Sequence, residues 1–198
     1  MSQTKHKLIV TMVILLGLSI FGMAQDLILA AGPNNAYLYQ EGDGNTADIM
    51  QQEALESWAV QMQQGNTNTV YIYQAGEKNF SSQTQTGNSN SAYAIIIGSN
   101  NTTIQNQVGN ANGMYIWQSG SNNLFIQNQI GFENQAMAWV QGSRNSVSQN
   151  QIGSRHSSRV TITGDNNSVD HIQAGSETAL TLTYIGDNTT VTAFRFGF

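Results

Sequence analysis

Ile104-Gln105-Asn106-Gln107-Val108-Gly109-Asn110-Ala111-Asn112 is the stretch that decides the fold. Its skeleton is Gln-x-Gly-x-x-Asn, and the chain repeats it on a fixed beat. A glycine falls every eleven residues, at Gly65, Gly76, Gly87, Gly98, Gly109, Gly120, Gly131, Gly142, Gly153, Gly164, Gly175, Gly186 and Gly197. Three places on, the beat is kept by Asn68, Asn79, Asn90, Asn101, Asn112, Asn123, Asn134, Asn145 and Asn167, with His156, Thr178 and Thr189 in variant copies. Two places before the glycine stand Gln63, Gln74, Gln85, Gln107, Gln118, Gln129, Gln151 and Gln173. Such self-similarity marks a repeat architecture, in which each unit buries its face only against its neighbours.

Within each unit about six residues alternate, the period of a strand. The G-x-x-N that follows is turn chemistry: glycine accepts φ > 0, and asparagine bonds nearby backbone. Units also alternate in kind. One kind adds a second glutamine, as in Gln61/Gln63, Gln83/Gln85, Gln105/Gln107, Gln127/Gln129 and Gln149/Gln151, with His171/Gln173 last. The other has Ile72, Ala94, Ile116, Ala138, Val160 or Leu182 at that place. The true period is therefore 22 residues, one strand-turn-strand coil.

From Asn35 the chain holds fifteen such units, the last cut short. The expected fold is all-β: a β-solenoid of about seven coils with two parallel sheets and amyloid-like cross-β stacking. At about 4.8 Å per coil the rod is roughly 36 Å long. Stacking sets like over like, so each buried amide bonds the amides above and below, which offsets the cost of burying so many polar groups. Alternation alone leaves both parities open in the glutamine-rich units: Gln105 and Gln107 on one face, Ile104 and Val108 on the other. Glu53 stands where a glycine belongs, and Gly42 to Gly65 is 23 residues, so a bulge or widened turn is expected near Leu55 to Trp58.

Composition narrows the function classes. Charged residues are 10% of the chain and cysteine is absent, so disulfides and thiolate metal sites are out of reach. Asn/Gln richness with low charge is also the composition of disordered prion-like tracts, but the strict beat specifies order. Residues 1–24 read as a secretory signal: Lys5 and Lys7, an apolar run from Leu8 to Phe21, then Gly22-Met23-Ala24 before a cut at Gln25. Ala30-Ala31 offers a later cut. Residues 25–34 form a short leader holding Pro33, the only proline, and residues 35–198 are the repeat domain. The net charge of −5 becomes −7 without Lys5 and Lys7, which gives no footprint for nucleic acid. No phosphate loop, paired acid/base carboxylates or metal-ligand spacing appears. His156 and His171 occupy an Asn and a Gln slot and read as substitutes in the columns. No enzyme, cofactor or small-molecule substrate is expected.

The pattern resembles the curlin repeat, written Q-x-G-x-x-N-x-A-x-x-x-Q. Gln107-Val108-Gly109-Asn110-Ala111-Asn112-Gly113-Met114 with Gln118 matches all but the alanine, and the segments from Gln85 to Ala92 and from Gln129 to Ala136 match until Ile96 and Val140. The resemblance covers residues 35–198. It implies a secreted bacterial subunit that polymerises with itself into curli, the extracellular amyloid fibres of adhesion and biofilm. It also implies inward Gln and Asn ladders, other curlin subunits as partners, and a dedicated outer-membrane export system. Departures fall at Ile96, Val140, Ile162, Tyr184 and Arg195, and the units degrade from Gly153 on. The family holds a major fibre subunit and a minor nucleator at the cell surface, and the sequence leaves both open.

Three further expectations follow from the residues. Both poles of an open solenoid present unpaired strand edges, and with no capping helix these are expected to be the working surface. Turn charges such as Asp43, Glu77, Lys78, Glu133, Arg144, Arg155, Asp165, Glu177 and Asp187 either solvate loops or slow premature assembly. Tyr71, Tyr93 and Tyr115 beside Tyr73, Trp117 and Trp139 form an aromatic row, either strand-face packing or an adhesive stripe. The rival reading is a monomeric ice- or ligand-binding solenoid, drawn from Thr161/Thr163 and Thr181/Thr183.

Overall fold

The computed structural model of the protein describes residues 12–13, 25–31 and 33–198. The segment expected to be the secretory signal lies outside the described residues apart from Met12–Val13. In chain order the strands are β1 Met12–Val13, β2 Gln25–Ala31, β3 Asn34–Glu41, β4 Thr46–Leu55, β5 Trp58–Gln64, β6 Thr69–Glu77, β7 Phe80–Asn88, β8 Ser91–Ser99 and β9 Thr102–Asn110. They continue as β10 Gly113–Ser121, β11 Leu124–Phe132, β12 Gln135–Gln141, β13 Ser146–Ser154, β14 Ser157–Thr163, β15 Ser168–Ser176, β16 Ala179–Ile185 and β17 Thr190–Phe196.

From β3 onward, successive strands alternate between two sheets, and every pairing is parallel. Sheet A runs β4-β6-β8-β10-β12-β14-β16 and sheet B runs β3-β5-β7-β9-β11-β13-β15-β17. The fold is the expected β-solenoid of about seven coils. Register is like on like: Gln105, Gln107 and Gly109 of β9 face Gln127, Gln129 and Gly131 of β11. Alternation of buried and exposed positions closes the parity question, because Gln105 and Gln107 point in while Val108 is half-exposed.

The turns fix this register. Gly109 sits at φ +119°, and a Cβ there would lie 2.0 Å from the carbonyl oxygen of Gly131 in the next coil. Both backbone conformation and stacking therefore demand glycine. Each turn also needs a second left-handed residue two places on, which no sequence rule singled out. Asn100, Asn122, Asn166 and Asn188 suit that conformation, whereas Thr67, Ala111 and Glu133 occupy it at φ 54–58° against their preference.

The irregularity lies slightly earlier than expected. Gln52 pairs with Ala75 and Leu55 with Glu77, so Glu53 and Ala54 together span the level of Gly76. A residue with a Cβ cannot take the glycine position of the stack, and two residues bridge it instead. The turn at Glu56 and Ser57 is then regular, with Glu56 in the left-handed region.

The expectation of bare strand edges at both poles is corrected at the N-terminal pole. β2 pairs antiparallel with β3, Leu27 opposite Leu38, and covers the outer edge of sheet B. β1 makes a two-residue antiparallel bridge to β4, Met12 opposite Gln51. The exposed row of N–H and C=O groups on β3 takes the nearest segment of chain, which is the leader. At the C-terminal pole, no strand among the described residues pairs with the outer edge of β16 or β17.

Candidate functional site: amide columns and the two poles

The interior is a thin apolar layer set against stacked amides. Sheet A supplies Ile72, Ala94, Ile116, Ala138 and Val160, and sheet B supplies glutamines directly across. One column is continuous through seven levels. Gln40 Nε2 donates to Gln63 Oε1 at 2.7 Å, Gln63 to Gln85 at 3.1 Å, Gln85 to Gln107 at 2.7 Å, Gln107 to Gln129 at 3.0 Å, Gln129 to Gln151 at 2.6 Å, and Gln151 to Gln173 at 2.8 Å. The other N–H of each amide crosses to a backbone carbonyl of sheet A: Gln63 to Thr46, Gln85 to Thr69, Gln107 to Ser91, Gln129 to Gly113 and Gln151 to Gln135, at 2.9–3.1 Å. Both donors of a buried amide are thus used. A neutral hydrogen bond nets only about 1 kcal/mol, but an orphaned buried partner costs about 1–3 kcal/mol, so the value of the column is its completeness.

A second column runs Gln61, Gln83, Gln105, Gln127, Gln149, the first four donating from Nε2 to the next glutamine toward the C-terminal coil. Below Gln61 stands Leu38, and Gln61 Oε1 is left without a partner.

The asparagines form two columns, one at each turn, whose amide-to-amide bonds both run opposite to those of the glutamines. Asn112 sends its backbone N–H and its Nδ2–H to Asn90 Oδ1, each at 3.1 Å, and its other Nδ2–H to Gly131 O at 3.0 Å. Asn68, Asn90 and Asn134 repeat this arrangement in part or whole, and Asn79, Asn101, Asn123, Asn145 and Asn167 do so at the other turn. Each turn is therefore pinned to the turn of the coil before it.

Some residues expected in columns stand alone. Gln74 accepts from Gln51 at 2.9 Å, but its next level is Ile96. Gln118 is buried between Ile96 and Val140, and its amide bonds Thr103 Oγ1 and Asn123 O instead of another glutamine. Eleven-residue spacing aligned these glutamines in sequence; the second sheet does not carry an amide at every level.

The histidines differ. His156 fits the asparagine column: its backbone N–H donates to Asn134 Oδ1, its Nε2–H to Ile152 O at 3.1 Å, and its Nδ1 meets Thr178 Oγ1 at 2.7 Å. His171 ends the second glutamine column. Gln149 turns its Nε2 to Ser158 Oγ, which also meets His171 Nδ1 at 2.9 Å, and His171 Nε2 is without a partner. Burial pulls the His171 imidazole down to about 4, partly opposed by Asp170. Ala193 stands above His171, and Arg195 above Gln173.

On the outer face of sheet B, an unpredicted ladder of Asn106, Asn128 and Asn150 runs at 3.0 and 2.8 Å. The same 22-residue spacing would have found it. The aromatic row lies in two neighbouring register positions of sheet A: Tyr71 and Tyr93 are 6.2 Å apart between centroids in one, and Trp117 stacks on Trp139 at 4.3 Å in the other. Asp48 heads the tyrosine row; partial burial raises its carboxyl, and burial first, then Asp48 and Tyr73, raises the Tyr71 phenol. Some turn charges pair across levels, Lys78 with Glu56 at 3.8 Å and Arg155 with Glu177 at 2.6 Å. Asp165 and Asp187 also accept backbone N–H groups of the preceding turn at 2.7 Å, so they are structural as well as charged.

At the C-terminal pole Leu180, Leu182 and Tyr184 of β16 and Val191 and Ala193 of β17, which occupy inward positions, are only half-buried, since no coil among the described residues lies over them. Among the described residues this pole presents two unpaired strand edges and an apolar interior in cross-section. No family model, curated protein or solved structure matches the chain.

Proposed function

We propose that the chain is a secreted, curlin-like structural subunit that self-assembles end to end into extracellular amyloid fibres for adhesion and biofilm matrix. The observation that carries this reading is the unbroken Gln40–Gln173 column, with every amide-to-amide bond pointing one way, running toward a pole whose strand edges have no partner among the described residues. A polar column of this kind extends by adding another copy in the same sense, and edge strands add strands. The protein's work is then ordered polymerisation in place of catalysis, with export and nucleation partners of the kind the curlin resemblance implies.

A nucleator role is the second reading, favoured by the interruption of both columns at His171 and Arg195 in the last coils. An ice-binding surface draws less support, since Thr161 and Thr183 pair across only two levels of sheet A. The test is to incubate the purified chain from Gln25 to Phe198 and follow dye binding and fibre diffraction. Fibres with a meridional spacing of about 4.8 Å are expected; a chain that stays monomeric, folded and dye-negative contradicts the proposal. Fibres formed only by a second subunit, seeded by substoichiometric amounts of this chain, select the nucleator reading.

A further inference from the structure

The two sheets do not hold the same number of levels. Among the described residues, sheet B has eight parallel strands, β3 to β17, and sheet A has seven, β4 to β16. Suppose copies join with β17 of one against β3 of the next at the ordinary strand spacing. Sheet B is then continuous, but sheet A lacks one strand between β16 and the next copy's β4, a gap of about 9.6 Å against the usual 4.8 Å. An unfilled level would leave two strand edges and an apolar slot inside the junction, which is costly.

The strand that would fill it lies directly before β3. Adding 22 residues to Gln25, Leu27 and Leu29 gives Ala47, Ile49 and Gln51, the inward positions of β4. Leu27 would then share a column with Ile49 and with Leu182 of the neighbouring copy, and Leu29 with Gln51 and Tyr184. The end of this extra unit is already in place: Asn34 occupies the head of an asparagine column, with Oδ1 accepting Ser57 N–H at 3.1 Å and Nδ2 donating to Ala54 O at 2.7 Å. In the single chain, however, β2 pairs antiparallel on β3, on the very edge that β17 of another copy needs.

We propose that β2 is a convertible strand: it caps β3 in the free chain and, when a second copy docks, leaves that edge and enters sheet A in parallel between β16 of the neighbour and its own β4. The cap then works as an autoinhibitory contact and the same residues as the seal of the junction. This inference rests on end-to-end assembly as proposed above.

The chain has no cysteine, so disulfides can be placed at will. Ile28 and Tyr37 face each other in the antiparallel pair, at a cross-strand separation suited to a disulfide. The chain from Gln25 carrying Ile28→Cys and Tyr37→Cys is expected, when oxidised, to grow fibres at least ten-fold more slowly than when reduced. In a second arm, copies carrying Ile28→Cys alone are mixed with copies carrying Thr183→Cys alone, and fibres are oxidised after growth. Disulfide dimers between the two are expected, since residue 28 would lie in register with Thr183 of the neighbour. Equal growth of oxidised and reduced chain, or fibres of the mixture without such dimers, overturns the conversion while leaving assembly intact. Failure of the unsubstituted chain to grow fibres overturns both.

Discussion

The coils from Asn79 to Gln151 and those from His156 to Phe196 share one backbone and differ inside. Register is parallel and unbroken through both. In the first region the sheet B glutamines sit on glutamines; in the second the positions above Gln149 and Gln173 are His171, Ala193 and Arg195, and the interior shifts to Val160, Ile162 and Val169 with Leu182 and Val191. The difference teaches that the turns, with glycine and the backward-bonding asparagine, set the coil, while the interior need only be homogeneous within each column. Amide above amide serves, and so does valine above valine; an imidazole under alanine, as at His171, leaves a ring nitrogen without a partner.

The largest effect that would break this contrast is at the glycines. Gly109→Ala, at φ +119° and 2.0 Å from a backbone oxygen, should destabilise the fold by about 4 kcal/mol in urea unfolding. Gly186→Ala, near the open pole, meets first the Tyr184 hydroxyl at 2.9 Å, a side-chain end that can move, and should cost clearly less. Equal losses would mean that stacking against the next coil is not what excludes a side chain.

Next comes the column itself. Gln107→Leu strands the donor of Gln85 and the acceptor of Gln129, and should cost about 3 kcal/mol. Within the column Gln173→Leu strands only the donor of Gln151, since the Thr178 acceptors it also serves keep Ser157 N–H and His156, and it should cost about half as much by the same measurement.

A smaller effect separates the regions by pH. His171 is held neutral, near 4 against an ordinary 6.5. Between those values the unfolded chain takes up a proton that the folded chain refuses, so stability falls as pH drops through that window, by about 3 kcal/mol in all. Urea midpoints at pH 7 and pH 4.5 should show this, and His171→Gln should remove most of it. The smallest effect is a gain: Thr67→Asn, at φ 58° in an exposed turn, should stabilise by about 0.5–1 kcal/mol, seen as a rise in Tm.

The glycine beat made the solenoid, its coil length and its two sheets legible in the sequence, because a turn that tolerates only glycine leaves a periodic trace. The glutamine columns were legible for the same reason, though Gln118 shows the limit: spacing gives the column, and only the neighbours Ile96 and Val140 decide whether an amide finds another amide. The left-handed residue beside each asparagine was hidden because Thr67, Ser89, Ala111, Glu133 and Arg155 share no chemistry. The cap on β3 was hidden because antiparallel pairing of Gln25–Ala31 carries no repeat signal of its own.

The most direct test of the account is the axial rise per copy in fibres grown from the chain beginning at Gln25, measured by electron cryo-microscopy. End-to-end stacking of whole solenoids, with eight levels of sheet B per copy, predicts a rise of about 38 Å. A rise of about 4.8 Å per copy, with each chain flattened into a single layer, would contradict it.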